Sequence, residues 1–389
     1  MKKINNLPGY GRGTAVLLFL IVLCTGPGCL AQDDIVIGRR HTLFSSVLAE
    51  QREYWVSLPA DYGRTEYAPA AYPVIYVLDG DSHFPTLTGI RNALSKGPYA
   101  QMPQAIVVGI LNTNRSRDLT PAIQDPQRTD ATTVRFDGAG GNDKFIRFLE
   151  NELFPAVEKQ YRTDPYRVLI GHSFGGLTAL NIFLHHTGLF NAYLAIDPSL
   201  WWDDMALIRQ ADTLLGRKDF TGKALFVSSA NKILVPRDTT TEMKRTIARF
   251  GQQLKRLQPK GLDWHWQYYE NEDHSSIPIP AGHDGLRYIF RDFQLQVKQA
   301  FEDPDMVVRH FDAISARLGH TFRPLEAWLD ELAEVTEKRK HPEAALRLFE
   351  LNTVYHPHSR RTWQRYAEAL QKSGQAAKAQ ECLKKAERL

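Results

Sequence analysis

Tyr166-Arg167-Val168-Leu169-Ile170-Gly171-His172-Ser173-Phe174-Gly175-Gly176-Leu177 is an apolar run that passes straight into a serine bracketed by glycines, followed by helical character over 177–186. That order predicts strand, sharp turn, helix. A serine held at such a turn projects from the C-terminal end of a sheet, and the flanking glycines remove side chains that would collide where the helix starts. Gly171-His172-Ser173-Phe174-Gly175 alone is a weak signal, because three fixed positions recur by chance; its place between a strand-like and a helix-like run gives it weight.

Outward from this point, 72–78 and 105–110 are nearly unbroken apolar runs, suited to strands buried on both faces. Segments 42–48 and 54–58 alternate apolar and polar residues like antiparallel edge strands. Between Asp143 and Tyr161, Phe145, Phe148, Leu149, Leu153, Phe154 and Val157 recur at helical spacing. Further strands are expected at 192–196, 223–229 and 263–269, with helices at 242–257 and 285–300. Strands alternating with helices predict an α/β class, with helices on both faces of a mostly parallel sheet.

Beyond Arg323 the composition turns to Ala, Leu, Glu, Lys and Arg without strand signals. Ala345 and Phe349 recur as Ala379 and Leu383, at about the 34-residue spacing of tetratricopeptide repeats. An ordinary amphipathic tail is the plainer alternative, since stacked repeats normally need several neighbours. The expected organisation is a leader over 1–31, an α/β domain over 32–322 and an all-α helical-repeat region over 323–389.

Lys2, Lys3 and Arg12 precede an apolar stretch over 14–24, then Gly26-Pro27-Gly28-Cys29-Leu30-Ala31. At roughly 11 residues the stretch is shorter than the ~20 of a membrane span and reads as a signal peptide. Cleavage after Ala31 is preferred; lipid attachment at Cys29 is the alternative. The chain is therefore expected to be exported, periplasmic or secreted. Of its 3 cysteines, only Cys382 lies beyond that leader, so stability must come from the core. Lys and Arg total 48 against 44 for Asp and Glu and are spread along the chain, which gives no nucleic-acid signature. His185 and His186 are adjacent, so they do not face one metal site, and no metal cluster is expected.

A serine hydroxyl needs a base to take its proton and donors for the oxyanion it creates. With the order serine, acid, histidine, the base belongs in a loop after the last strands, where His274 lies in Glu270-Asn271-Glu272-Asp273-His274. His283 starts the next helix and His265 sits within a strand. The place directly after strand 223–229 holds Asn231-Lys232 and no carboxylate. Glu242 is the preferred acid, then Asp238, with Asp197 as the topological alternative and a serine–histidine dyad open. The backbone N–H of Phe174 and that of Gly80 or Asp81 are the oxyanion candidates. Arg115 and Arg117 are candidates for an anionic substrate group, and Trp201 with Trp202 for an aromatic wall; ion pairing and core packing explain them equally well.

Ile170-Gly171-His172-Ser173-Phe174-Gly175-Gly176-Leu177, Pro73-Val74-Ile75-Tyr76-Val77-Leu78-Asp79-Gly80, Asn114-Arg115-Ser116-Arg117-Asp118-Leu119-Thr120-Pro121, Pro198-Ser199-Leu200-Trp201-Trp202 and His274 with Gly285-Leu286-Arg287-Tyr288-Ile289-Phe290 together resemble the putative-esterase family. Several segments agree in order across about residues 40–301, nearest to the branch around enterobactin-type siderophore esterases. The resemblance implies an α/β-hydrolase fold, Ser173 and His274 as catalytic, Phe174 and the Gly80-Asp81 loop at the oxyanion, and no metal or organic cofactor. The chain departs from that pattern at the acid, with Asp197 where similar sequences often have serine. The function expected is ester hydrolysis of a small molecule through an acyl-enzyme. Acyl transfer at the same site, or an inert hydrolase domain whose helical repeats bind a protein partner, are the alternatives.

Overall fold

The computed structural model describes residues 34–124, 136, 138–232 and 240–389. Eight strands, β1 (Arg39–Ser45), β2 (Glu50–Ser57), β3 (Tyr72–Val77), β4 (Ile106–Ile110), β5 (Thr163–His172), β6 (Ala192–Ile196), β7 (Lys223–Lys232) and β8 (Leu262–Asp273), form one sheet in the order β1-β2-β4-β3-β5-β6-β7-β8. The pairs β1–β2 and β2–β4 are antiparallel and all others parallel. This is the doubly covered sheet that the apolar runs predict. Because successive side chains leave a strand on opposite faces, each central strand feeds two cores. Tyr76, Tyr193, Leu225 and Val227 enter one, while Val77, Leu194, Ala224 and Phe226 enter the other.

The connecting helices are α1 (Gly80–Leu94), α2 (Arg115–Leu119), α3 (Asn142–Phe148), α4 (Phe154–Gln160), α5 (Phe174–His185), α6 (Trp202–Arg217), α7 (Thr240–Leu257) and α8 (Pro278–Ile289). The single helix expected over 143–161 is α3 and α4 joined by a π-helical turn, Leu149–Leu153. Pro155, which has no N–H to donate, is the second residue of α4. The helix expected over 285–300 instead starts at Pro278, a residue preorganised for a first turn. It ends at Ile289, and Asp292 takes a left-handed φ of 68°. A separate short α9 (Val297–Ala300) follows.

Five further helices, α10 (Met306–Leu318), α11 (Glu326–Lys338), α12 (Pro342–Tyr355), α13 (Arg360–Lys372) and α14 (Ala376–Glu387), complete the chain. Residues 37–389 form one compact unit. The core on the α1 and α8 face runs without a break into Ile314, Leu318, Leu329, Leu332, Leu348 and Phe349. On the same side the loop before β3 is tied to α11: Glu326 accepts the Ala68 N–H at 2.8 Å, and the Tyr67 hydroxyl donates to Asp330 at 3.3 Å. Among the described residues no helix is long and apolar enough to cross a membrane.

Deleting 324–389 is therefore expected to unfold the chain. Each buried Leu or Phe is worth about 1.5–3 kcal/mol, so losing several takes up most of an ordinary domain's ~5–15 kcal/mol. Circular dichroism melting of the truncated chain checks this. A cooperative transition near that of the full chain would show that the helices are separable.

Candidate active site

β5 ends at His172 and α5 begins at Phe174, leaving one residue, Ser173, to make the turn at φ 59° and ψ −116°. Such a conformation is costly for a residue with a side chain and persists only where its surroundings fix it. Here the Ser173 N–H donates to the Ile196 carbonyl at 3.0 Å, and the Ser173 carbonyl accepts from the Leu177 and Ser199 N–H groups at 2.9 and 3.1 Å. A Cβ on Gly171 would stand 2.1 Å from the Gly175 carbonyl oxygen, so glycine is what lets strand and helix pass.

His274 lies just beyond β8, and its Nε2 is 3.1 Å from Ser173 Oγ. Its Nδ1 is 2.7 Å from Asp197 Oδ2. A carboxylate only accepts, so Nδ1 carries the proton and Nε2 is left to take one from Ser173. Asp197 follows β6 in a left-handed conformation, φ 41°, and is 1% exposed. Its Oδ1 accepts the Ala230 N–H at 3.1 Å. Ser173, His274 and Asp197 are thus one contiguous relay.

Glu242, the preferred acid from sequence, is not at His274. It lies in the first turn of α7, 3.8 Å from Arg245 one turn along. Asp238 lies outside the described residues. His283 pairs with Asp284 at 2.9 Å. The acid ranking is corrected in favour of Asp197, because the turn after β6 points its carboxylate across the sheet end toward the His274 loop.

Phe174 is the first residue of α5, and Gly80 and Asp81 are the first two of α1. N–H groups at helix starts have no carbonyl one turn back, so all three are available to an external oxygen. Glycine is required at 80, where a Cβ would meet the Gly109 backbone at 2.7 Å. Asp79 before it takes φ 53° and ψ 48°, which turns the chain from β3 into α1.

The remaining candidates divide. Arg117 holds both oxygens of Glu50, at 2.6 and 3.0 Å, and Asp118 at 2.7 Å, in a network that continues to buried Arg52. With its donors so engaged, it is a structural cation and not a substrate ligand. Trp201 and Trp202 are 5% and 2% exposed and pack on Phe174 at ring distances of 5.9 and 5.5 Å. Trp202 Nε1 also donates to the Pro121 carbonyl at 3.0 Å. Both are buried against the Phe174 ring, so they support the elbow by packing and the wall assignment is corrected. Arg115 does reach the site: it lies over the Phe174 ring at 5.3 Å and is bound to Asp79.

Two residues escaped the sequence reading. Ser199 Oγ is 3.3 Å from Ser173 Oγ and 1% exposed. With the Ser173 proton directed at His274, the Ser199 hydroxyl is the donor of that pair. The His172 ring lies 4.4 Å from that of His274, tilted at 40°, and burial, reinforced by His274, His83 and Arg115, holds its pKa well below the usual histidine value. It therefore stays neutral and adds no positive charge beside the imidazolium that His274 forms. Both lie within quoted motifs, but nothing in their spacing marked them.

A cavity of about 290 Å³ adjoins this cluster, lined by Ser82, His83, His172, Ser275 and Ile279. The larger cavity of about 820 Å³ lies at the opposite end of the strands, among Tyr72, Phe311, Phe322 and Trp328. It is remote from the relay and not where this chemistry occurs.

Residues 45–251, more than half of the chain, match the family described as "Putative esterase". Ferri-bacillibactin esterase BesA of Bacillus subtilis (strain 168) is 34% identical over 177 residues, 42% of this chain and 59% of that protein. The siderophore triacetylfusarinine C esterase of Aspergillus fumigatus is 28% identical over 271 residues, 61% of this chain and 88% of that protein. The crystal structure of an IroE-like serine hydrolase from Shewanella oneidensis is similar at 34% identity and a TM-score of 0.74, covering 82% of this chain and 99% of that one. A family match over more than half its length and a likeness over nearly all of a solved relative lead to one conclusion: the chain belongs to the esterase family.

Proposed function

We propose that this chain is a serine esterase that cleaves siderophore esters through an acyl-enzyme on Ser173. The observation that carries the reading is the relay from Ser173 Oγ through His274 to Asp197, at 3.1 and 2.7 Å. Ser173 Oγ attacks the ester carbonyl as His274 Nε2 takes its proton. The N–H of Phe174 and those at the start of α1 receive the oxyanion, the electrostatic contribution that is usually the largest in acyl transfer. His274 then returns the proton to the departing alkoxide, and water, activated by the same base, releases the acid. Asp197 keeps the imidazole in the competent tautomer and stabilises its cation.

The siderophore class is supported by the names of two relatives, a ferri-bacillibactin esterase and a triacetylfusarinine C esterase. Export to the periplasm or medium rests on the leader over 1–31, outside the described residues. A panel of catecholate trilactones, hydroxamate siderophore esters, feruloyl esters and simple aryl esters tests the substrate. Expected is a kcat/KM for a siderophore ester at least about tenfold above the feruloyl ester, the equivalent of ~1.4 kcal/mol of transition-state binding. Preference for feruloyl esters would overturn the substrate class and leave the serine mechanism standing.

A further inference from the structure

We infer that Arg115 acts as a positioning residue for the oxyanion site, fixing the α1 loop against the serine elbow through Asp79. The inference rests on the serine-esterase reading and says how its oxyanion donors are held. Those donors come from two unconnected elements, the start of α5 and the start of α1, so catalysis depends on their relative placement. Loop and elbow are already joined once, since the Leu78 N–H donates to the Ile170 carbonyl at 2.9 Å. Beyond that ladder bond and the edge contact of His83 on α1 with His172, Arg115 spans the gap with hydrogen bonds. Its Nε and Nη2 hold Asp79 at 2.6 and 2.9 Å, and Nη2 lies 3.5 Å from the His172 carbonyl on the elbow. The guanidinium carbon lies 5.3 Å over the ring of Phe174, whose own N–H is one of the donors.

Asp79 is the residue whose left-handed conformation turns Gly80 and Asp81 toward the site. It is 4% exposed, and Asn112 adds a further bond at 2.6 Å. A buried carboxylate in a sparsely populated backbone conformation needs such over-determination. A planar fork supplies it in a way that a lysine ammonium does not. Arg115 is 37% exposed, and its Nη1 has no hydrogen-bond partner among the described residues. This geometry explains why a residue that resembles an anion ligand in sequence has its best donors turned inward.

The test separates kcat from KM on p-nitrophenyl acetate, a neutral ester with no anion for an arginine to bind, and adds inhibition by phenylboronic acid, which forms a tetrahedral adduct on the serine. Arg115→Lys and Arg115→Ala are each expected to lose on the order of 100-fold in kcat, the loss typical of one missing oxyanion donor. KM should change less than about threefold, and boronate affinity should weaken in parallel with kcat. Asp79→Asn should reproduce the pattern, which keeps the inference testable if an Arg115 variant folds poorly. Unchanged kcat on the neutral ester, with a raised KM confined to anionic esters, would make Arg115 a substrate ligand and overturn the inference. Because both probes report on Ser173 chemistry with any ester, failure of siderophore turnover in the wild type counts against the substrate class alone. Absence of both acetate-ester turnover and boronate inhibition in the wild type would refute the enzyme reading and this inference together.

Discussion

Ser173→Ala is expected to abolish labelling by a fluorophosphonate probe and to lower ester turnover by about six orders of magnitude, the scale seen when a serine nucleophile is removed. The substitution deletes one oxygen and leaves the rest of the elbow intact. Alanine at φ 59° is as strained as serine, and the backbone bonds to Ile196, Leu177 and Ser199 do not involve the hydroxyl. The melting temperature should therefore stay within a few degrees of wild type, so that lost activity reads as lost chemistry. Ser199 makes the experiment sharper. Its hydroxyl lies 3.3 Å from the nucleophile and is placed to substitute for it. Residual labelling mapped by peptide sequencing to Ser199 would transfer the nucleophile to that residue. Ser173→Ala retaining more than about one percent of wild-type turnover, with no label at Ser199, would remove the serine mechanism.

What the chain discloses before folding follows the range of the interactions involved. The β5–Ser173–α5 elbow is local, and an apolar run, three glycines and a serine suffice to specify it. The place of His274 follows from chain order, since the loop after the last strand reaches the C-terminal edge where Ser173 projects. The acid is different in kind. Asp197 and His274 are far apart in sequence, and their 2.7 Å contact depends on a left-handed turn at Asp197 and on the parallel pairing that sets the loop after β8 beside the ends of β6 and β7. Neither has a compositional signature, so the sequence reading favoured Glu242, which has the ordinary topological position and no access to the imidazole.

Arg115 and Arg117 show the same limit on a smaller scale. They are two positions apart on α2, and residues so spaced on a helix point in different directions. One reaches the elbow and the other the Glu50–Arg52 network, although the sequence offers the pair as equivalent. The C-terminal helices are legible as helices, but the continuity of α10, α11 and α12 with the sheet core is not, because burial against a distant sheet face leaves only apolar spacing behind.

Asp197→Asn is expected to lower kcat by about four orders of magnitude, as loss of the triad carboxylate does when geometry is kept, while Glu242→Gln stays within about twofold of wild type. The first expectation follows from how Asp197 is held. Its Oδ1 accepts the Ala230 N–H at 3.1 Å, a buried donor that must keep its acceptor. In the asparagine variant the amide oxygen is therefore committed to Ala230, and the amide nitrogen, a donor, is left facing His274 Nδ1. Nδ1 must then accept and the imidazole proton must move to Nε2, opposite Ser173 Oγ. In that tautomer His274 cannot take the serine proton, so the site keeps its shape and loses its base. Nitrogen-15 chemical shifts of the His274 ring report the tautomer directly, and kcat measured beside them ties it to turnover. An Asp197→Asn enzyme within tenfold of wild type, with Nε2 still unprotonated, would sink the triad; a large loss in Glu242→Gln instead would return the acid to α7.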